Sequence, residues 1–223
     1  MNKVAVKFTT RAWYKTLALI ASFNTEVAWH GIARRGNDYE YIIDDIIVYP
    51  QCVNGYTVTA DQNEYALWLM EQSDTIFNNI RLQGHSHVYM DTTPSTTDRD
   101  LYERLVYQID QPDDFDNNFY VFMIMNKHGE MYCEVHDTKM QLHTSNCDLF
   151  FMSENRTFKI HRKTFMRSVL GLLFDTKLLN EIRHFVRSAK DVVKEDEVKN
   201  KNSEPFPSDF SRYPDIFLDD FLQ

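Results

Sequence analysis

Cysteine is scarce in this chain, and long apolar segments are missing. The sequence has three cysteines, Cys52, Cys133 and Cys147, and their odd number and wide spacing argue against a disulfide framework. No run of about 18 apolar residues is present, so no transmembrane helix is predicted. The N-terminal segment shows no apolar core followed by a small-residue cleavage site, so no signal peptide is predicted either. These absences favour a reduced, cytoplasmic location.

Basic residues are too few to balance the acidic ones. Lys and Arg number 24 against 33 Asp and Glu, which gives a formal net charge of −9. Nonspecific nucleic-acid binding depends on a basic surface, so the composition argues against a nucleic-acid partner. Nothing in the sequence indicates a membrane partner. The 223 residues, of which 43% are hydrophobic, suffice for one domain with a substantial core and an appendage.

The chain does contain a compact set of metal-ligand residue types, His85-Ser86-His87 followed by Ser95 and Asp98. Two histidines at positions i and i+2 share a face in a β-strand, where side chains alternate. Pro94-Ser95 is typical of a helix start, and a helix places Ser95 and Asp98 on one face. Two imidazoles and one carboxylate are the protein ligands of a catalytic zinc, with the fourth position left for water. The alternative interpretation is a pair of surface histidines beside an ordinary capping box.

The pattern Glu…His-x-His-x7-Ser-x2-Asp resembles that of the JAMM (MPN+/JAB) zinc metalloproteases. The downstream part matches at every spacing, Glu26 is the upstream glutamate, and the resemblance covers roughly residues 3 to 136. It implies that Zn²⁺ is bound by His85, His87 and Asp98. It also implies that Glu26 acts as general base and then general acid, and that Ser95 helps to hold the water and the developing oxyanion.

Many eukaryotic members of that family have proline straight after the second histidine, where this chain has Val88. The sequence His-Ser-His-Val, Met90 and the pair Trp29-His30 look more like bacterial and phage members. The resemblance therefore implies an isopeptidase or peptidase that cleaves after the C-terminus of a ubiquitin-like protein, alone or in its conjugates. The alternatives are a peptidase for a sulfur-carrier precursor or a cell-wall peptide, and a non-catalytic MPN scaffold protein.

Alternating and helical hydrophobic patterns predict an α/β fold. Strands are expected over 3–8, 25–34 (with Glu26), 39–49, 81–87, 119–125 and 131–136, and helices after Thr9 or Thr10, over 61–80 and over 95–109. The stretch 50–55 is expected to be a break. Helices that interleave with mixed strand pairings indicate an α/β sandwich around one sheet. The resemblance implies the same architecture, the MPN/JAMM (cytidine-deaminase-like) sandwich of a mixed β-sheet with flanking helices, followed by a C-terminal helical extension.

Four segments are expected along the chain. These are a JAMM/MPN+ catalytic domain at 1–137, an extension with strands and an amphipathic helix at 138–193, a charged flexible linker at 194–208, and an aromatic, acidic tail at 209–223. The amphipathic helix packs on the domain or forms the seam of a homodimer. The tail docks on its own domain, binds a partner or occupies the cleft.

Two groups of residues are candidates for substrate contact. Tyr89, Met90 and Thr92 follow the histidines, in a region that lies beside the cleft in the family. Arg34 and Arg35 lie near a predicted turn, where they contact either substrate or solvent.

A second set of ligand types lies further along the chain. Cys133, His136, His143 and Cys147 offer two thiols and two imidazoles to a second, structural zinc. A strand would direct Cys133 and His136 to opposite faces, which favours the alternative that these are unconnected strand and loop residues.

Overall fold

The computed structural model describes residues 3–53, 58–109, 118–154 and 156–165, together with 180, 183 and 185–188. Its elements are β1 Val4–Phe8, α1 Thr10–Ser22, β2 Ala28–Arg35, β3 Glu40–Ile47, β4 Gln51–Val53, β5 Val58–Thr59, α2 Gln62–Met70, α3 Asp74–Phe77, β6 Ile80–Ser86, α4 Thr96–Ile109, β7 Phe119–Met125, β8 Met131–Asp137, β9 Leu142–Thr144, β10 Cys147–Ser153, β11 Arg156–Lys159 and β12 Val186–Ser188. The predicted linker and tail and most of the predicted amphipathic helix lie outside the described residues.

In the described part of the chain, nine strands form one mixed sheet in the order β11-β10-β1-β3-β2-β6-β7-β8-β9. β1 runs parallel to β10 and to β3, and β6 runs parallel to β7, whereas the other neighbours are antiparallel. The protein is therefore α/β with a large mixed sheet and flanking helices, which confirms the predicted fold class at that level. Because β10 pairs with β1, the sheet continues past residue 137, where the predicted catalytic segment ends.

Different helices cover the two faces of the sheet. β7 is apolar throughout and all seven of its residues are buried, as predicted for a strand enclosed on both sides. Val121 belongs to the core cluster that contains Trp13 of α1, whereas Tyr120 and Phe122 pack with Tyr102 of α4. Since side chains alternate along a strand, α1 and α4 lie on opposite faces. Among the described helices, none has the length and the apolar character that crossing a bilayer requires.

The predicted helix over 61–80 begins where expected but is not continuous. The Asp61 carboxylate accepts the backbone N–H of Glu64 at 2.9 Å, which caps α2. After α2 ends, the Ser73 hydroxyl accepts the N–H of Ile76 and starts the separate helix α3, and Ile80 already belongs to β6. The single long helix was a wrong prediction, because the polar residues 71–74 offer no apolar side chain to the core and Ser73 caps a new turn instead.

β2 begins at Ala28, so Glu26 lies two residues before the strand and not within it, contrary to the prediction. The pairing of this segment with β6 nevertheless reaches residue 27. Val27 O accepts the N–H of Ser86 at 2.9 Å, and Val27 N–H donates to the Ser86 hydroxyl at 3.1 Å. The Ser86 hydroxyl therefore takes the place of a backbone carbonyl as the acceptor at the end of the ladder. The backbone remains paired with β6 up to Val27, next to Glu26.

A small second sheet of described residues, in the order β12-β4-β5, contradicts the prediction of a single sheet. The stretch 50–55, expected to be a break, contains β4, which pairs with β5 and β12. The buried amide of Gln51 explains this arrangement, because it bonds both the N–H and the C=O of Ala28, at 2.9 Å and 2.8 Å. This side chain connects β4 to β2, so the backbone of β4 remains available to the second sheet.

Asp137, at the end of β8, joins distant parts of the main sheet. Its fully buried carboxylate accepts two hydrogen bonds from Arg35, at 2.7 Å and 2.8 Å, and one from the Tyr41 hydroxyl at 2.6 Å. Burial alone would raise the pKa of Asp137, but the bonds from Arg35 and Tyr41 hold it below its ordinary value. Arg35 is therefore a structural partner, whereas Arg34 forms an exposed ion pair with Asp44.

Asp137→Asn should lower the free energy of unfolding by about 3 kcal/mol at pH 7, because the largely buried Arg35 loses its counter-charge. The carboxylate of Asp137 has a lowered pKa, so its contribution is present above the ordinary value of 3.8 and is lost as the pH falls through the folded-state pKa. Urea unfolding at pH 7 and pH 3 measures the difference. Asp44→Asn is the matched control and should change stability by less than about 1 kcal/mol. Equal effects of the two substitutions would contradict the structural role of Asp137.

Candidate metal centre

The carboxyl end of β6 brings two histidines together. His85 lies in β6 opposite Ala28 of β2 and Ile124 of β7. His87 follows directly after the strand, and its N–H donates to Met125 O at 2.9 Å. The extended backbone places both side chains on one face, as their spacing predicts, and their Nε2 atoms are 3.1 Å apart.

Close packing of β2 against β6 determines the residue that precedes His85. A Cβ atom at Gly84 would lie 2.3 Å from Nε1 of the fully buried Trp29. A side chain at position 84 would therefore displace the indole from the core. Glycine allows Trp29 to lie across β6 at this point, and His85 keeps its place in the ladder.

A backbone hydrogen bond orients the ring of His87. Its Nδ1 lies 2.5 Å from the carbonyl oxygen of Asp91. A carbonyl can only accept, so Nδ1 carries a proton, and Nε2 is the nitrogen of His87 that can bind a metal ion. Burial lowers the pKa of His85 well below its ordinary value, although the Asp98 carboxylate opposes this shift. His85 is therefore uncharged at neutral pH, which is the form that binds a metal ion.

The first turn of α4 brings a carboxylate to the histidines. The Ser95 hydroxyl accepts the N–H of Asp98 at 3.2 Å, and Oδ2 of Asp98 accepts the N–H and the O–H of Ser95, each at 2.7 Å. These bonds form a reciprocal capping box, as the alternative interpretation predicts. Oδ1 of Asp98 lies 3.4 Å from Nε2 of His85. The cap and the possible metal contact thus use different oxygens of one carboxylate.

Arg99 connects α4 to β8, the strand that follows β7 in the sheet. Its Nη1 donates to the buried carboxylate of Glu134 in β8 at 2.7 Å, and the same carboxylate also bonds the Tyr132 hydroxyl and His143. Asp98 faces β6 and Arg99 faces β8, so the rotation of the helix about its axis is restrained. No signal in the sequence indicates this pair, because Arg99 looks like any solvated helix residue.

His85, His87 and Asp98 are the group of potential metal ligands found among the described residues, with ligand atoms within 4.8 Å of one another. A tetrahedral zinc ion with bonds of about 2.0–2.1 Å needs ligand atoms roughly 3.3 Å apart. The observed separations are 3.1 Å between the two Nε2 atoms and 3.4 Å between His85 Nε2 and Asp98 Oδ1. These side chains can therefore bind a metal ion with little rearrangement, and their types suit zinc.

Glu26 lies on the wall of the same cleft and is 8% exposed. Burial raises the pKa of Glu26 from 4.5 to about 7, while His87 opposes the shift and Asp98 adds to it. No hydrogen bond from a described residue contributes to this pKa. A carboxyl group that titrates near neutrality can accept a proton and return it.

The cleft has a volume of about 520 Å³ and extends from β5 to the start of α4. Of the predicted substrate contacts, Met90 lines the cleft. Tyr89 and Thr92 are not among the described residues that line it. Tyr89 is instead 62% exposed, with its ring beside His128 and the ammonium group of Lys127. The residues of this loop therefore do not contribute equally to the wall of the cleft.

Three buried cleft residues were not predicted from the sequence, namely Ala28, Tyr49 and Gln83. Gln83 lies two residues before His85 in β6, so the alternation of side chains is a signal that could have found it. Tyr49 lies between β3 and β4, and no local pattern indicates that it reaches the cleft.

The second set of ligand types is divided between the two faces of the sheet. Cys133 belongs to the core cluster and Cys147 packs against it. His136 and His143 are cross-strand neighbours with ring centroids 5.3 Å apart, and the alternation along β8 places them on the other face. These four side chains form no common ligand group among the described residues. The predicted second zinc site therefore has no support in the structure.

A scan against protein-family models and a search of curated proteins both find no match to this chain. The resemblance to the JAMM proteases therefore rests on the five motif residues and on the segments around them.

Purified wild-type protein should contain about one zinc ion per chain, and Asp98→Ala should lose most of it, because a metal site with two protein ligands is weak. Elemental analysis after dialysis against a mild chelator measures this. Asp100→Ala, two residues further along α4 and exposed, controls for loss of helix charge. Ser95→Ala removes the cap and one of the two bonds to Asp98 Oδ2, and it should bind zinc more weakly than the wild type but more tightly than Asp98→Ala. Zinc retained in Asp98→Ala, or a wild type that binds none after reconstitution, would contradict the assignment.

Metal-free Glu26→Gln should be more stable than the metal-free wild type at pH 8, by about 2 kcal/mol, since each pKa unit corresponds to about 1.4 kcal/mol and solvent in the cleft reduces the full value. Between pH 4.5 and about pH 7 the folded wild type retains a proton that the unfolded chain has lost. The free energy of unfolding of the wild type therefore falls with rising pH across this window, relative to the glutamine variant.

Urea unfolding of both proteins in the presence of a chelator, from pH 4.5 to pH 8, tests this difference. Glu103→Gln, at an exposed position of α4, is the matched control and should follow the wild type. A constant difference between wild type and Glu26→Gln across the pH range would show that the pKa of Glu26 is not raised.

Proposed function

We propose that this chain is a zinc-dependent metallopeptidase of the JAMM (MPN+/JAB) type that looks more like the bacterial and phage members than the eukaryotic ones. The observation that carries the proposal is the buried Glu26 carboxyl, with its raised pKa, on the cleft that His85, His87 and Asp98 also line. A capping box explains Ser95 and Asp98, but it gives no reason to bury a carboxyl beside two histidines. On this proposal the mixed sheet with its helices is the MPN sandwich.

The zinc ion would be held by Nε2 of His85, Nε2 of His87 and a carboxylate oxygen of Asp98. The bond from His87 Nδ1 to Asp91 O and the two bonds that Asp98 Oδ2 accepts from Ser95 hold these ligands in place. When bound, zinc supplies Lewis-acid activation of a water molecule and of the scissile carbonyl.

Glu26 moves the proton in this proposal. Its carboxylate accepts a proton from the attacking water, whose oxygen forms the new bond to the carbonyl carbon. The carboxylic acid then gives that proton to the nitrogen of the leaving amine as the C–N bond breaks, and Glu26 returns to its starting form. In the metal-free protein the pKa of Glu26 is raised, as suits a group that first accepts and then donates a proton near neutral pH.

Ser95 has a positioning role in the structure as it stands, since its hydroxyl donates to Asp98 Oδ2. The oxyanion role that the resemblance implies requires this hydroxyl to turn from Asp98 towards the substrate. Ser95 is exposed and lines the cleft, which permits such a rotation.

The proposed substrate is the C-terminal tail of a ubiquitin-like protein, joined to an amine by a peptide or isopeptide bond. The cleft walls combine apolar side chains such as Val58 and Leu101 with the amide of Gln83. Among the described residues β5 is one of the two edge strands of the small sheet, and it contributes to one wall. An edge strand can hydrogen-bond an extended peptide, which is the conformation of an unfolded tail.

Mass spectrometry of cleavage products tests the proposal. Zinc-loaded wild type and Glu26→Gln are each incubated with a panel of ubiquitin-like proteins that carry C-terminal extensions or isopeptide-linked lysine. The wild type should cleave after the tail of at least one protein of the panel, and Glu26→Gln should lose about 100-fold or more in rate while it keeps its zinc. Glu103→Gln is the control and should retain activity. A zinc-loaded Glu26→Gln protein that keeps most of its activity would refute the role of Glu26.

A further inference from the structure

Asn126, directly after β7, is completely buried next to the loop that follows His87. Its side-chain oxygen accepts the N–H groups of His128 and Glu130, each at 3.0 Å. Its side-chain nitrogen donates to Met90 O at 2.7 Å and to the Glu130 carboxylate at 2.6 Å. The amide therefore makes two donations and two acceptances, which is its full capacity. This pattern distinguishes the oxygen from the nitrogen, and neither a carboxylate nor an aliphatic side chain reproduces it.

Besides this amide, one backbone bond joins the loop 88–91 to the turn 126–130, and another closes the loop on itself. Lys127 N–H donates to Val88 O at 2.7 Å, and Met90 N–H donates to His87 O at 2.8 Å. Together with the bond from Asn126 to Met90 O, these contacts hold the backbone of His87, Val88 and Met90. The turn that follows β7 thus acts as a template for the loop that follows β6.

Val88 shows that this loop is held against its own preference. Its φ of +46° lies in the left-handed region, which is unfavourable for a β-branched residue. Such a conformation persists where the surrounding contacts determine it, and it is frequent at functional sites. Proline, with φ near −65°, could not occupy this position.

The bond from Asn126 acts one peptide away from the group that orients His87. Met90 O accepts from Asn126, and the next carbonyl, Asp91 O, accepts Nδ1–H of His87 at 2.5 Å. A shift of the Met90 peptide would move the Asp91 carbonyl, and the imidazole would lose the bond that selects its tautomer. We propose that Asn126 is a positioning residue that holds the loop 87–91 so that His87 Nε2 points to His85 and Asp98. The inference rests on the proposed metal site and assigns it a further supporting residue.

Nitrogen-15 NMR of His87 in the metal-free protein tests this proposal without any activity. The wild type should show the Nδ1–H tautomer. In Asn126→Asp the donor to Met90 O is lost, and an oxygen faces that carbonyl and the Glu130 carboxylate instead. His87 should then populate the Nε2–H tautomer, and the zinc affinity, measured by competition with a chelator, should fall by about tenfold or more. Asn126→Ala removes the amide without adding charge and should change both quantities in the same direction.

Tyr41→Phe is the matched control, because it removes another buried hydrogen bond, from Tyr41 to Asp137, outside this loop. It should lower the free energy of unfolding and leave the tautomer and the zinc affinity unchanged. An Nε2–H tautomer of His87 in the wild type overturns the role of Asn126 even if neither variant folds. A folded variant whose His87 tautomer and zinc affinity are unchanged overturns it as well. A wild type that binds no zinc refutes the metal site, and the tautomers of the metal-free proteins still decide the role of Asn126.

Discussion

β6 and β7 lie side by side and run in the same direction, so the chain between them must cross one face of the sheet before it can return. α4 makes this crossing, and it starts beyond the carboxyl end of β6, where His85 and His87 lie. The first turn of the helix, with Asp98, therefore falls beside the two histidines. Ligand sites of α/β sheets are found at the carboxyl ends of strands for the same geometric reason. The proximity of the three potential ligands follows from strand direction, and the capping box with Ser95 refines it.

Buried polar side chains define how the remaining segments meet. Gln51 connects the second sheet to β2, Asp137 connects β8 to Arg35 and Tyr41, and Asn126 connects the turn after β7 to the loop after His87. A buried polar group that loses its partner costs about 1–3 kcal/mol. Each of these side chains therefore disfavours every arrangement in which its partners are displaced. Their contribution is mainly to the uniqueness of the fold, since water would satisfy the same groups in the unfolded chain.

Structure that depends on local patterns could be predicted from the sequence. The apolar run of β7, the cap at Asp61 and the start of α4 after Ser95 were all identified in this way, and so was the convergence of the two histidines. Apart from the helix over 61–80, which the local cap at Ser73 interrupts, the failures concern segments whose partners are distant in sequence. Nothing around Gln51 indicates that its amide will bond Ala28, and nothing near Arg35 indicates Asp137. Supporting residues of the site, such as Asn126, were missed for the same reason, because their roles arise from contacts that the fold creates.

Burial has opposite effects on the two kinds of titratable group in the cleft. It lowers the pKa of His85 and raises the pKa of Glu26 to about 7, so both groups are less charged near neutral pH than they would be in water. The uncharged imidazole is the form that binds a metal ion, and a carboxyl close to its pKa is the form that exchanges protons most readily. A structural cap on α4 requires neither condition. Desolvating Glu26 opposes folding at neutral pH, whereas an exposed carboxylate at the same place would not. The burial of Glu26 beside the histidines therefore supports a chemical function for the cleft, independently of any resemblance to a known family.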